Sequence, residues 1–393
     1  LSFLKNLTYE FSSKVLSQAV VLLGSVFMTR FLTPADYASF GIMVVIVVTL
    51  NVFQDFSLHE ALIQKNQVSD RELSTAFWVI LTLGFICFLT FNLSYYGLTF
   101  VFDDFTYQPL AAFILSLCFL FEGWGGLSMT KLKIDLKFKI TSIVYTISSL
   151  SSTILGLIIA YQGYGIFALV WTFLLRYALQ FTLFYFLCSW KPKVERTSLA
   201  SFYPYMKTRS ASVFLNNLFS QIDILLIQFV GSSLMLGSYV KAKSIQQQIS
   251  NSLFQVVNNL LLPYFSKGNK TQSSKILFNR SILVTFLITF SIALFLFFTS
   301  EHLFVFFFGE VWRTSGQYFG LLSFLICTQS VYQIAEVYYN SLGETKFTLR
   351  VNMLGKGLFL GCLFVLYFFG ILPFIISMIL VNMLAILILK IKL

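Results

Sequence analysis

Apolar runs of about 20 residues, the length that crosses the hydrocarbon core of a bilayer once, recur along the whole chain with short polar connections between them. Read with boundaries good to a few residues, they predict twelve helices over 11–31, 38–58, 75–98, 108–128, 141–161, 164–188, 209–230, 234–264, 279–299, 315–340, 349–369 and 371–390. The expected architecture is an all-α membrane protein of about twelve transmembrane helices, in two six-helix lobes around a central cavity.

Some of these helices carry polar stripes. In 234–264, Ser244, Gln247, Asn251, Gln255 and Asn258 fall three and four apart on one face, and Ala242, Ile245, Ile249, Leu253, Val256 and Leu260 occupy the other. Shorter stripes run through Ser212, Asn216, Ser220 and Asp223, through Lys14, Gln18, Ser25 and Thr29, and through Gln329, Gln333, Glu336 and Asn340. Polar residues of this kind either line a wet path or hydrogen-bond between packed helices. For any one position both readings stay open; a stripe as long as that of 234–264 favours a cavity lining.

Composition supports the membrane reading. The 393 residues are 57% hydrophobic and 11% charged, against about 45–50% and about 25% in soluble domains, which excludes a soluble globular enzyme. Trp78, Trp124, Trp190 and Trp312 stand near the ends of apolar runs, where an amphipathic ring prefers the headgroup level. Alternate connections, 59–74, 129–140, 189–208, 265–280 and 341–350, together with both ends and their flanks, hold 22 of the 27 Lys and Arg. The opposite connections hold Asp36, Asp103, Asp104, Glu301 and Glu310 against Arg30 and Arg313. The positive-inside rule then puts both termini and the basic loops in the cytoplasm. The net charge of +11 thus sets orientation and implies no nucleic-acid partner.

Cys87, Cys118, Cys188, Cys327 and Cys362 are isolated within apolar runs and read as small core hydrophobes. The chain opens on Leu1, so either its start codon is non-standard or its true N-terminus is missing. The first apolar run ends at Arg30 without a small-residue cleavage site, so a retained helix is expected there rather than a signal peptide.

The chain also carries an internal repeat. Residues 30–40 (RFLTPADYASF) follow the first predicted helix as 229–239 (FVGSSLMLGSY) follow the seventh, and Leu127–Lys131 echoes Leu342–Lys346 after the fourth and tenth. The expected organisation is an N-terminal six-helix lobe over 1–188, a cytoplasmic linker over 189–208 containing Pro192 and Pro204, and a C-terminal six-helix lobe over 209–393. Two halves with an even number of helices share one orientation and are related by an axis along the membrane normal.

Several motifs taken together carry a family resemblance: Thr29–Tyr37 (TRFLTPADY), Asp55–Gln64 (DFSLHEALIQ), Leu73–Trp78 (LSTAFW), Asp223 with the turn Gly231–Tyr239, and Phe308–Trp312 (FGEVW). With these the chain resembles the polysaccharide-transporter family, which includes the O-antigen flippases of the multidrug, oligosaccharidyl-lipid and polysaccharide exporter superfamily (MATE-like). It departs at Tyr37-Ala38, where the family often has Gly after the aromatic residue. The resemblance implies a bacterial inner-membrane protein that carries an undecaprenyl-pyrophosphate-linked oligosaccharide, an O-antigen or capsule repeat unit, from the cytoplasmic to the periplasmic leaflet by alternating access. Its expected partners are that substrate, membrane lipids and the polysaccharide polymerase machinery. The competing readings are a drug or small-molecule antiporter of the same superfamily and a membrane-embedded glycan polymerase or ligase, for which a large periplasmic loop would be expected.

Eight ionisable side chains lie at membrane depth or its edge: Arg30, Asp55, Glu122, Arg176, Asp223, Lys241, Lys243 and Glu336. Each is costly there unless it pairs or faces water, and because the charges balance, static ion pairs compete with function. Arg30, Lys241 and Lys243 share the periplasmic third, and a pyrophosphate needs cations. The candidate substrate-binding set is Arg30, Lys241, Lys243, Asp223, Asn216, Gln247, Asn251, Gln255 and Arg176; the candidate gating or coupling set is Glu122, Glu336 and Asp55. His59 and His302 are far apart and form no pair for metal or acid–base work, and no GxxxxGK[ST] cradles a phosphate. No catalytic residue, metal or cofactor is expected, and the drive would come from a proton or sodium gradient.

Overall fold

The computed structural model describes residues 20–65, 68–101, 108–267, 272–341 and 345–391, and every regular element in them is helical. Helix α1 is described over Val20–Thr29. It is followed by α2 (Pro34–Asp55), α3 (Leu58–Gln64), α4 (Asp70–Gly97), α5 (Pro109–Ser116), α6 (Cys118–Ile134), α7 (Phe138–Tyr161) and α8 (Ile166–Leu187). Then come α9 (Tyr203–Val230), α10 (Ser233–Lys267), α11 (Gln272–Phe308), α12 (Arg313–Ser341), α13 (Thr345–Phe369) and α14 (Ile371–Ile391). Among the described residues, ten helical stretches are long and apolar enough to cross a membrane. The chain is a multi-pass helical membrane protein. At 35 residues α10 has the length but is not one of the ten, because Lys241, Lys243 and Gln246–Gln248 fall in its first half.

Local chemistry explains where helices begin. Thr33 accepts a hydrogen bond from the Asp36 N–H while the Asp36 carboxylate accepts from the Thr33 N–H at 2.9 Å, and Pro34 occupies the first turn. This capping box starts α2 at Pro34, four residues before the predicted 38. Ser69 and Glu72 cap α4 in the same way. Differences from the predicted spans also have local causes. The predicted 38–58 helix stops at Asp55, because Phe56 (φ 43°) and Ser57 (φ 54°) both take the left-handed conformation. The predicted 108–128 helix is interrupted at Leu117 between α5 and α6.

Contacts divide the chain into two compact units between Leu225 and Leu226, within α9. In the first unit α4 packs on α2 and α6, and α8 on α5, α6 and α7. One core cluster gathers Leu73, Phe77, Ile80, Leu127, Phe184 and Trp190; another gathers Cys87, Phe91, Tyr95, Leu115, Phe119 and Val170. Lipid is as apolar as these side chains, so close packing by small residues holds such helices together. A Cβ on Gly125 would lie 2.2 Å from the Phe181 carbonyl oxygen, so α6 approaches α8 as closely as it does only because glycine stands there. The α7 seam is built from buried Ser142, Ser148, Ser149, Ser152 and Thr153.

In the second unit α12 is the central helix, packed on α10, α11 and α14, while α13 packs on α14. Ser323 of α12 donates to the Ala293 carbonyl of α11 at 3.1 Å, and Phe278 stacks on Tyr338 with ring centroids 4.2 Å apart. Helix α11 is mostly exposed and presents Leu283, Leu287, Phe295 and Phe298 outward, the composition a lipid-facing helix requires.

Candidate functional site

Where α2 ends, the first unit brings ionisable groups together. Asp55 Oδ1 accepts from the His59 N–H at 3.2 Å and lies 3.8 Å from His59 Nε2. On the other side of the ring, Nδ1 is 2.7 Å from the Thr130 hydroxyl of α6, which itself donates to the Gly126 carbonyl at 3.2 Å. Burial lowers the pKa of His59, the nearby Asp55 carboxylate raises it, Lys133 lowers it, and the net shift is downward. A Cβ on Gly126 would stand 3.0 Å from the His59 ring, which would have to give by a few tenths of an ångström, and 3.9 Å from Glu122 Cγ, an ordinary contact.

Glu122 Oε2 is buried without a hydrogen-bond partner, as is Arg176 Nε on α8. Among the described residues no ion pair joins Arg176 to Asp55 or Glu122. The predicted coupling residues Asp55 and Glu122 therefore share one neighbourhood, and its third member, His59, was missed by the sequence reading. The available signal was its spacing of four from Asp55.

Helix α3, which carries His59, is tied to α9. Glu60 takes a two-pronged hydrogen bond from Arg209, with Nε–Oε2 at 2.6 Å and Nη2–Oε1 at 3.1 Å, and one from Tyr205 at 3.3 Å. Gln64 donates to Tyr205 at 3.1 Å, and the Ser210 hydroxyl meets that of Ser57 at 3.1 Å. The Arg209 guanidinium holds the Glu60 carboxyl below the usual carboxylate range. These links keep the beginning of α9 within the first unit.

The second unit buries cations. Lys241 is 2% exposed with Nζ 4.7 Å from the Phe308 ring centroid, and Lys243 is 7% exposed with Nζ 5.9 Å from that of Tyr239. Aromatic faces attract such ammonium groups where water is scarce. Of the predicted stripe on α10, Gln247 is half-buried and Asn251 exposed, while the side chain of Gln255 lies outside the described residues. A residue that ties α10 to α12 stands one position off that stripe: Gln246 donates to Ser250 at 2.9 Å and to Gln329 at 3.0 Å. Glu336 accepts from Asn352 at 3.4 Å, and Asn352 accepts from Tyr332 at 2.6 Å. Arg30 is exposed just past α1, Asn216 is exposed on α9, and Asp223 is buried there at 1%. Among the described residues no three His, Cys, Asp or Glu side chains gather to hold a metal ion.

Residues 27–317 match the family described as polysaccharide biosynthesis protein. The chain belongs to that family. Among curated relatives, an uncharacterized membrane protein in the cps region of Klebsiella pneumoniae is 24% identical over 268 residues, covering 65% of this chain and 54% of that protein. The lipopolysaccharide biosynthesis protein WzxC of Escherichia coli K12 is 24% identical over 317 residues, covering 77% of this chain and 63% of WzxC. This chain thus spans less than two thirds of the length of these relatives. In fold it is similar to the lipid II flippase MurJ in an inward closed conformation, with a TM-score of 0.73 at 15% identity over 97% of this chain and 87% of MurJ. It is also similar to an inward-facing multidrug resistance MATE family transporter of the MOP superfamily, with a TM-score of 0.64 at 13% identity over 95% and 93% of the two chains. The family member described here therefore has the MOP-superfamily fold.

Proposed function

We propose that this chain is a flippase, not an enzyme, that carries an undecaprenyl-pyrophosphate-linked oligosaccharide from the cytoplasmic to the periplasmic leaflet of a bacterial inner membrane by alternating access. The observation that carries the reading is a polysaccharide-biosynthesis chain with a flippase-type fold that buries lysines on α10, in a helix too polar for a purely lipid-embedded role. A buried ammonium is expensive in hydrocarbon and stabilises a phosphate strongly, because the low dielectric weakens screening. In this reading Lys241, Lys243 and Arg30 bind the pyrophosphate; Arg176, Asp223, Asn216, Gln247, Asn251 and Gln255 bind the rest of the headgroup. Asp55, Glu122 and Glu336 govern gating or coupling to a proton or sodium gradient. The orientation with basic connections inside rests on the Lys and Arg asymmetry.

Cells lacking the chain should accumulate lipid-linked oligosaccharide on the cytoplasmic leaflet and lose the surface polysaccharide. The MATE-type fold favours one alternative, a small-molecule antiporter. Unchanged surface polysaccharide with raised sensitivity to cationic dyes would establish that alternative in place of the flippase. A cysteine introduced at Lys193 should be labelled by impermeant reagents only after permeabilisation, and one at Asp103 in intact spheroplasts; the reverse pattern would invert the topology.

A further inference from the structure

The connection after α8 is held along the start of α4. The Trp78 indole donates to the Lys193 carbonyl at 3.0 Å, the Lys193 N–H to Ser74 at 3.2 Å, and the Thr197 N–H to Thr75 at 3.0 Å. Thr75 also bonds to the Glu195 carbonyl at 3.2 Å, and Arg71 pairs with the Glu195 carboxylate at 3.3 Å. Between this connection and α4 lies a groove of about 670 Å³. Trp78, Val79, Leu83 and Val194 line its apolar part, and Thr75, Thr82, Glu195, Arg196 and Thr197 its polar part.

Two observations say what fills it. The first is its depth in the membrane. Helix α4 is a span that begins at Asp70, whereas 191–197 lies outside every candidate span, so the groove runs from the headgroup level into the hydrocarbon. Trp78, 42% exposed, marks that boundary, and beside it Val194 is left 87% exposed. The second is charge. The segment 191–197 carries Lys191, Lys193 and Arg196 against Glu195 alone, and Glu195 already has Arg71 as its partner. A zwitterionic headgroup would bring a further cation to this rim, whereas an anionic one completes it.

We propose that this groove is a binding site for an anionic glycerophospholipid of the surrounding bilayer, its phosphate held by Arg196 and one acyl chain laid along Trp78, Val79 and Leu83. The lipid would fix the connection against α4, a role separate from cargo transport and independent of the flippase reading.

The test is native mass spectrometry of the purified full chain titrated with phosphatidylglycerol or phosphatidylcholine. The wild type should retain phosphatidylglycerol at about fivefold lower concentration, Arg196→Ala should lose that preference, and Arg196→Lys should keep most of it. Val79→Trp, which fills the apolar part with the charges intact, should lower retention of phosphatidylglycerol at the same site, and it carries the test if Arg196→Ala does not fold. Equal retention of the two lipids by the wild type, or an unchanged preference in Arg196→Ala together with unchanged retention of phosphatidylglycerol by Val79→Trp, would overturn the site. Stronger retention of undecaprenyl phosphate than of phosphatidylglycerol would also overturn it and reassign the groove to the cargo.

Discussion

Glu122 in the first unit and Glu336 in the second stand five and six residues before the matched Leu127 and Leu342, yet their surroundings differ. Glu336 receives the Asn352 amide, which Tyr332 holds in place, and Lys356 is close enough to act on it electrostatically. Glu122 has a buried oxygen with no hydrogen-bond partner, and the Asp55 carboxylate is close enough to act on it electrostatically. The units differ in the same sense more widely: lysines are buried on α10 of the second, while acids and an imidazole gather at the end of α2 in the first. Sequence pairing of this kind can preserve helix positions while the polar chemistry diverges. A satisfied carboxylate suits a static link, and an unsatisfied buried one suits a group whose protonation changes during a cycle.

The strongest way to break this contrast is to remove the buried cations. Removing a charge-assisted partner costs about 1.5–3 kcal/mol, so Lys241→Ala with Lys243→Ala should cut glycan export by about tenfold or more at unchanged abundance in the membrane. Arg30→Ala should act in the same direction, with Arg30→Lys restoring part of the activity if charge alone matters. Export at wild-type level in a variant combining Arg30→Ala, Lys241→Ala and Lys243→Ala would remove these residues from the substrate site.

The two glutamates come next. Glu122→Gln should lower export by about fivefold and flatten its dependence on external pH, whereas Glu336→Gln should lower it by less than about twofold. Equal losses would show that the difference in hydrogen bonding has no functional meaning.

Stability offers a smaller effect that compares the units directly. Gln54 of α2 donates to the Phe119 carbonyl at 2.7 Å, and Gln246 of α10 to Gln329 at 3.0 Å. Interhelical hydrogen bonds in membranes are worth about 0.6 kcal/mol on average and rarely above about 1.7. Gln54→Leu and Gln246→Leu should each lower the melting temperature in detergent slightly and similarly, and a large drop for one alone would mark its unit as the less tolerant.

The smallest effect belongs to Glu60. Its pKa is lowered in the folded chain by Arg209, so its contribution is present above the unfolded carboxylate pKa of about 4.3 and is lost as pH falls through the lower folded value. The pair is nearly half exposed, so the effect is weak. The melting temperature of the wild type should fall slightly more than that of Arg209→Ala between about pH 6 and about pH 3.5; parallel curves would show that the pair contributes nothing.

Much of the helical layout was legible because its causes are local. The alternation of apolar runs and polar connections and the polarity of α10 act within one helix; the capping boxes at Thr33 and Ser69 are local too, but they start α2 and α4 four and five residues before the positions that hydropathy alone predicted. The break at Phe56 and Ser57 carries no such signal, since neither residue type favours the left-handed conformation. The interruption at Leu117 lies inside an unbroken apolar run and was equally silent.

Sequence by itself determined that this chain is a helical membrane protein, roughly where its helices run, and which ionisable residues enter them. Hydropathy and capping are properties of neighbouring residues, so they survive without knowledge of the fold. Only the tertiary structure decided how the polar residues are used. Gln246, one position from the predicted stripe, turned out to join α10 to α12, because side chains on successive residues of a helix point about 100° apart. His59, whose nearness to Asp55 was local, met Thr130 of α6 because Gly126 has no side chain in the way. Such meetings depend on which helices are neighbours and how closely their backbones approach, and no spacing along the chain contains that information.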